Sequence, residues 1–214
     1  LRSRGVDKIR NLILTHGVRH HAGGFPYILD SQTLQRVFLS HAKSSSKYHG
    51  KILAQLADIP AVREVVSAGD TIGPWTILHP ARADDFLSST DDALALIGEF
   101  HGVRVLLISD LGSRGQQALL SRRDDLKADV VVTSISGRGQ TLGPGLLRAT
   151  APRVIVVHDS QFPVAERAPK TLLARLRESG AVVISVRDKG GTRLSIRPGG
   201  WHLENAWGTF WPSR

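Results

Sequence analysis

The 214-residue chain contains no cysteine and no methionine. Without cysteine there is no disulfide framework, zinc ribbon, iron–sulfur ligand or thiol nucleophile, so side-chain chemistry falls to histidine, carboxylates and hydroxyls. Without methionine the chain lacks an initiator, and it is expected to be a piece of a longer protein. Aromatic residues make up only 6%, and no apolar run approaches the roughly 18 residues of a membrane-spanning helix. Hydrophobic residues at 41% with 22% charged are ordinary for a globular domain and exclude disorder as a global description.

Acidic residues are also in short supply. Lys plus Arg number 28 against 19 Asp plus Glu, a net charge of +9, and the surplus is uneven. Residues 1–60 carry nine bases and three acids, residues 61–110 three and eight, and residues 111–214 sixteen and eight. Basic ends flanking an acidic middle fit attraction to a polyanion such as nucleic acid or an anionic lipid surface, and equally a chain in which arginine serves solubility.

Short runs rich in β-branched residues recur between turn signals. They are Leu12–Thr15, Val103–Ile108, Val130–Thr133, Val154–Val157, Val182–Val186 and Leu194–Ile196, and they read as buried strands. Helical patterns lie between them at 115–127, 143–150 and 170–179. The last is bounded by Pro169 at its first position and Gly180 as its stop. Strand and helix therefore alternate from about residue 100 to 197, the signature of an α/β layer architecture. Ser67–Pro80 reads as a hairpin or two edge strands. Residues 40–51 read as a polar surface loop, with His41, Tyr48 and His49, that enters a helix near residue 50. The chain is expected to form one domain over residues 1–198, followed by an aromatic tail at 199–214 that holds three of the four tryptophans.

The densest chemical signal is Thr15-His16-Gly17-Val18-Arg19-His20-His21-Ala22-Gly23-Gly24, directly after the first strand. Three imidazoles in six residues, on a loop leaving a strand, can converge on a metal or a phosphate. Each alone would more often be a structural histidine. The acid pairs Asp84-Asp85 and Asp91-Asp92 suit Mg²⁺ or Ca²⁺, and read more simply as solvated loop charges or helix N-caps. Gly137-Arg-Gly139 and Gly143-Pro-Gly145 lack the lysine spacing and setting of a phosphate loop.

These residues resemble the metallo-β-lactamase-like domain at the C-terminal end of ComEC-type DNA internalisation proteins. That family's signature has the form Thr/Ser-His-x-Asp-x-Asp-His-x-Gly-Gly. His16, His21, Gly23 and Gly24 fall on it in register, with Val18 and His20 at the two aspartate positions. Leu106-Leu-Ile-Ser-Asp110 resembles the family strand ending in Thr-Gly-Asp, with Ser109 in place of glycine. Lys127-Ala-Asp-Val130 matches the next landmark. Ile135-Ser136 then replaces a histidine pair, Gly137 matches, and Arg138 replaces a serine. Pro152–Val156 resembles a later strand. Ala168-Pro169 stands for a His-Pro ahead of the helix at 172–180.

The resemblance implies an αββα metallo-β-lactamase-like sandwich whose opening strands would precede Leu1. It also implies a soluble domain of an inner-membrane protein that takes part in uptake of transforming DNA. Its partners would be DNA, single- or double-stranded, and the membrane channel of the same parent chain, with no small-molecule cofactor. The family's catalytic positions carry over to His16, His20, His21 and Asp110, and its metal ligands to His16, His21 and Asp110. Val18 and Ile135 cannot ligate, so a two-metal nuclease centre is incomplete, and no metal or a single zinc or manganese ion is expected. Arg19 and Arg138 beside the depleted centre would neutralise phosphate directly and turn a cleaving site into a binding one. The alternatives are an active metal-dependent phosphodiesterase that degrades the non-transforming strand and a scaffold without enzymatic activity that packs on the channel.

Overall fold

The computed structural model describes residues 6–42, 47–135, 140–205, 208 and 210–212. Ser136, Gly137 and Arg138 lie outside them, as do the side chains of His20 and of residues 210–212. The chain opens with β1 (Lys8–Leu14), α1 (Arg19–Ala22), α2 (Phe25–Ser31), β2 (Thr33–Ser40), α3 (Lys47–Ala57) and β3 (Val62–Val66). It continues with β4 (Thr71–Ile72), β5 (Trp75–His79), β6 (Ala95–Phe100), β7 (Val103–Ser109), α4 (Ser113–Arg122) and β8 (Val130–Ser134). Next come α5 (Pro144–Thr150), β9 (Val154–His158), α6 (Lys170–Arg177), β10 (Val182–Ser185) and α7 (Val186–Lys189). It ends with β11 (Arg193–Arg197), β12 (Gly200–Glu204) and β13 (Phe210–Pro212).

Three sheets form. β1, β2 and β3 run parallel in that order. The main sheet has the order β10-β9-β8-β7-β6-β5-β4, parallel from β10 to β7 and antiparallel beyond. β11, β12 and β13 make an antiparallel third sheet.

Strand alternation assigns the layers. On the main sheet Leu106, Ile108, Val131, Ile155 and Val157 face Leu119, Leu146, Leu147, Leu173 and Leu176 of α4, α5 and α6. The alternate residues Val103, Val105, Val130, Val154 and Val156 pack on Trp201 and Leu203 of the third sheet. At the other end Ile72, Ile77, Leu94 and Leu96 pack on Phe38 and Val66 of the first sheet. That sheet turns its opposite face, through Val37 and Leu39, to Phe25 of α2 and to Ile52 and Leu56 of α3. The order helices, sheet, sheets, helices is the expected α/β sandwich.

The first sheet was not legible beyond β1. Thr33–Ser40 lies between helices and a second sheet, so Val37, Phe38 and Leu39 are all buried and the alternation of a half-exposed strand is lost. The boundary expected at residue 198 falls in the turn of a hairpin, where Arg197 pairs with Gly200. Residues 200–204 are a strand of the third sheet with Trp201 buried, because the main sheet's outer face needs a cover. Tyr48, expected on a surface loop, packs on the α2–α3 core, and its hydroxyl donates to the Ala22 carbonyl at 3.2 Å.

Candidate functional site

Thr15 and His16 follow β1, and Ser109 and Asp110 follow β7. The Leu94 N–H donates to the Thr15 carbonyl at 3.0 Å and so ties the end of β1 to the main sheet. Gly23 lets the chain return under α1, since a side chain there would meet the Arg19 carbonyl. These elements bring His16, His21 and Asp110 together. His16 Nε2 lies 3.3 Å from Asp110 Oδ1 and His21 Nε2 lies 3.3 Å from Oδ2. The two rings are 4.5 Å apart, and one ligand atom from each residue falls within 4.8 Å of the others.

Hydroxyls orient the cluster. Thr15 Oγ1 is 3.1 Å from His16 Nδ1, which leaves Nε2 facing the carboxylate. Ser109 Oγ is 3.4 Å from Asp110 Oδ1, and the Thr133 hydroxyl donates to the Ser109 carbonyl at 2.9 Å. Ser109 has φ of 49°, in the left-handed region, at the position where the resembled family has glycine. Burial pushes the Asp110 pKa up, but the hydrogen bond from His21 and the nearby charges of His16 and His21 outweigh it. The carboxyl is held below its ordinary value.

His16 and Asp110 are buried, whereas the His21 side chain is 19% exposed and opens on a cleft of about 460 Å³. The cleft is walled by Val18, Ser88, Ser89, Thr90, Asp110, Ser134, Ile135, His158, Pro163, Ala165 and Glu166. Val18 and Ile135, the hydrocarbon side chains at two of the family's ligand positions, thus face the same space as Asp110. Arg19 is exposed on α1 and is not among the residues walling the cleft. His20 shares that helix, and Arg138 falls outside the described residues.

The sequence reading missed Ser134, His158 and Glu166. His158 ends a strand parallel to β7 and β8, whose ends supply Asp110 and Ser134. The carboxyl ends of parallel strands are where ligands gather in α/β sheets, so its place was a usable signal. The acid pairs divide. Asp91 accepts from the backbone N–H of Arg114 and Gly115 at 3.0 and 3.2 Å and so caps α4 from a distance. Asp84 accepts from both Arg122 and the Ala81 N–H. Asp92 is buried with Oδ1 unpartnered, and burial, with Asp84, Asp85 and Asp91 nearby, pushes its pKa up to about 6.

Three donors of the type His, His and Asp fit one zinc-like ion. Each imidazole stands 3.3 Å from a different oxygen of Asp110, near the roughly 3.4 Å that separates two donors on a tetrahedral ion at about 2.1 Å, so the carboxylate would bind through both oxygens. They do not fit two ions, because Val18 and Ile135 bring no donor. Among the described residues no helix is long and apolar enough to cross a membrane.

No family model matches the chain. It is similar to ComE operon protein 3 of Bacillus subtilis (strain 168), 24% identical over 213 residues that cover 92% of this chain. The chain spans 27% of that protein's length, and the likeness supports a competence-related protein.

Proposed function

We propose that this chain is a domain of a DNA-uptake protein that holds DNA in the cleft beside His21 and retains half of a nuclease centre. The observation that carries this reading is the asymmetry of the cleft. His16, His21 and Asp110 converge on one part of it, while Val18 and Ile135 offer only hydrocarbon. The likeness to ComE operon protein 3 supports the role in uptake, and the net charge of +9 supports a polyanionic partner. In this reading the parent chain supplies a membrane channel, and the domain stands beside it.

The two imidazoles keep Asp110 ionised and fixed. His21 is the imidazole that reaches the cleft, where it donates to a phosphate oxygen along with the hydroxyls of Ser88, Ser89, Thr90 and Ser134. Arg19, exposed on α1, adds positive charge. A single ion on His16, His21 and Asp110 would supply Lewis acidity toward a phosphoryl oxygen. That donor set favours a second reading, a one-metal phosphodiesterase.

Fluorescence anisotropy with a labelled oligonucleotide at 50 and 200 mM salt, paired with elemental analysis, tests these readings. DNA binding through about three phosphates weakens at least tenfold over that range. Replacing Arg19 and Arg138 together weakens it further. Metal below a tenth of an equivalent with no cleavage is the expected result. One equivalent with cleavage that His16→Ala or Asp110→Ala abolishes selects the phosphodiesterase, and no affinity at either salt selects a scaffold.

A further inference from the structure

Two loops border the cleft, and both hold large apolar side chains out in solvent. Ser88, Ser89 and Thr90 wall it, and the preceding Leu87 is 97% exposed. Pro163, Ala165 and Glu166 wall it too, and Phe162 and Val164 are 76% and 65% exposed. Leaving such a side chain in water forgoes the free energy of burial, so three beside one cleft call for an occupant. The aromatic of the first loop behaves differently. Phe86 packs on the buried His79 ring at 5.6 Å.

Phe162 does not stand out because its loop is slack. The Ser160 N–H donates to the Glu166 carbonyl at 3.0 Å and the Ser160 hydroxyl to the Phe162 carbonyl at 2.7 Å. Arg167 Nη2 donates to the Gln161 carbonyl at 3.1 Å. Both ends of the loop are tied to Asp159, whose carboxylate accepts from the Ala168 N–H, the Ser185 hydroxyl and the Arg187 N–H. The ring is presented by a braced loop, which lowers the entropy lost when something stacks on it.

We infer that Phe162 is a stacking platform for an unpaired base of a strand whose phosphate enters the cleft, so that the site takes single-stranded nucleic acid in preference to duplex. This rests on the DNA-binding reading above. Between the apolar side chains lie hydroxyls, the imidazoles of His21 and His158 and the carboxylates of Asp110 and Glu166, so the occupant must pair a flat apolar part with a polar one that accepts from the hydroxyls. A nucleotide of a single strand does so, and the chain's positive charge complements it. A duplex keeps its base faces stacked on each other. A lipid surface would cover the apolar side chains and bring a headgroup phosphate, but it offers no flat face to stack on the Phe162 ring.

The test measures the full 214-residue chain, with Phe162→Ala and Phe162→Trp variants, by anisotropy with a labelled oligothymidylate 12-mer, an abasic 12-mer and a duplex of equal length. Phe162→Ala is expected to weaken binding to oligothymidylate about five- to tenfold and to change the abasic and duplex affinities less than twofold. Phe162→Trp is expected to retain affinity, with its fluorescence quenched on binding. Because Phe162 is exposed, an unchanged melting temperature separates this effect from misfolding. Equal affinity of wild type and Phe162→Ala for oligothymidylate overturns the platform and leaves the DNA reading standing. Equal losses on all three probes also overturn it. A wild type that binds none of the three overturns the DNA reading itself. Loss confined to co-sedimentation with anionic phosphatidylglycerol vesicles makes the loops a membrane contact and overturns the base platform.

Discussion

Among the described residues, two clusters of histidine and aspartate differ in what remains open. Around His79 both ring nitrogens and the carboxylates of Asp84 and Asp91 are occupied by the protein itself. Its Nε2–H donates to the Asp91 carbonyl at 2.6 Å, and its Nδ1 accepts from Arg122 Nη2 at 2.9 Å. Arg122 also grips both oxygens of Asp84, and Asp91 caps α4. No side chain fits at position 112, where it would collide with the Asp91 carboxylate. This cluster fastens the loop that carries Ser88–Thr90 to the main sheet. Around Asp110 two imidazoles converge on one carboxylate at the floor of a cleft, with His21 turned to the opening. A closed network spends its hydrogen bonds on structure, whereas an open one leaves them for a ligand.

The largest effect separating the two should come from Arg122→Ala. It strands a buried imidazole nitrogen and a carboxylate, and should cost about 2–3 kcal/mol, or about 5–10 °C in thermal melting. The matching change in the open cluster, His21→Ala, should cost less than about 1 kcal/mol in unfolding, yet weaken oligonucleotide binding roughly tenfold. A reversal of those two outcomes in paired melting and binding assays would erase the distinction.

Acid titration of stability sharpens the contrast further. Burial, helped by Arg122, pushes the His79 pKa from 6.5 down to about 4. The unfolded chain therefore binds more protons between those values, and this group's stabilisation is full above pH 6.5 and lost as pH falls toward 4, by about 3 kcal/mol. Asp92 acts in the opposite sense. Its pKa is raised from 3.8 to about 6, so the folded chain holds the proton and stability from this group falls as pH rises across that window. Urea unfolding between pH 4 and 7 should show His79→Gln tilting the stability curve downward with rising pH and Asp92→Asn tilting it upward. Parallel curves for the two variants and wild type would show that neither group titrates as its burial demands.

Smaller effects are expected at the edges of the open cluster. Ser109→Gly relieves a left-handed backbone and should add about 1 kcal/mol, a rise of 2–4 °C in melting. Val18 is the N-cap of α1 with no side-chain hydrogen bond to the helix, so Val18→Asp should add about 0.5–1 kcal/mol as a better cap. It also returns a carboxylate to the cleft, and zinc titration should show tighter uptake than in wild type.

Much of the main sheet was legible because its parallel strands are short β-branched runs separated by amphipathic helices. The cluster at His16, His21 and Asp110 was legible because two of its members stand in one ten-residue motif and the third matches a landmark of the resembled family. The strands of the first sheet beyond β1 were not: β2 is buried on both sides at Val37, Phe38 and Leu39 and carries no alternation, and β3 is an edge strand whose Val62 and Val65 stay exposed. Nor were His158 and Glu166, each of which is an ordinary polar residue until the strand order sets it beside Asp110. The absence of thiol chemistry, the positive charge, the α/β alternation and the hydrocarbon at Val18 and Ile135 all follow from the residues alone. That Asp91 is a cap, that His79 is sealed, that Trp201 covers a sheet and that Phe162 faces solvent emerged with the packing. Those outcomes depend on contacts between residues far apart in the chain, and local composition carries no information about which distant groups will occupy a side chain's hydrogen bonds or bury its surface.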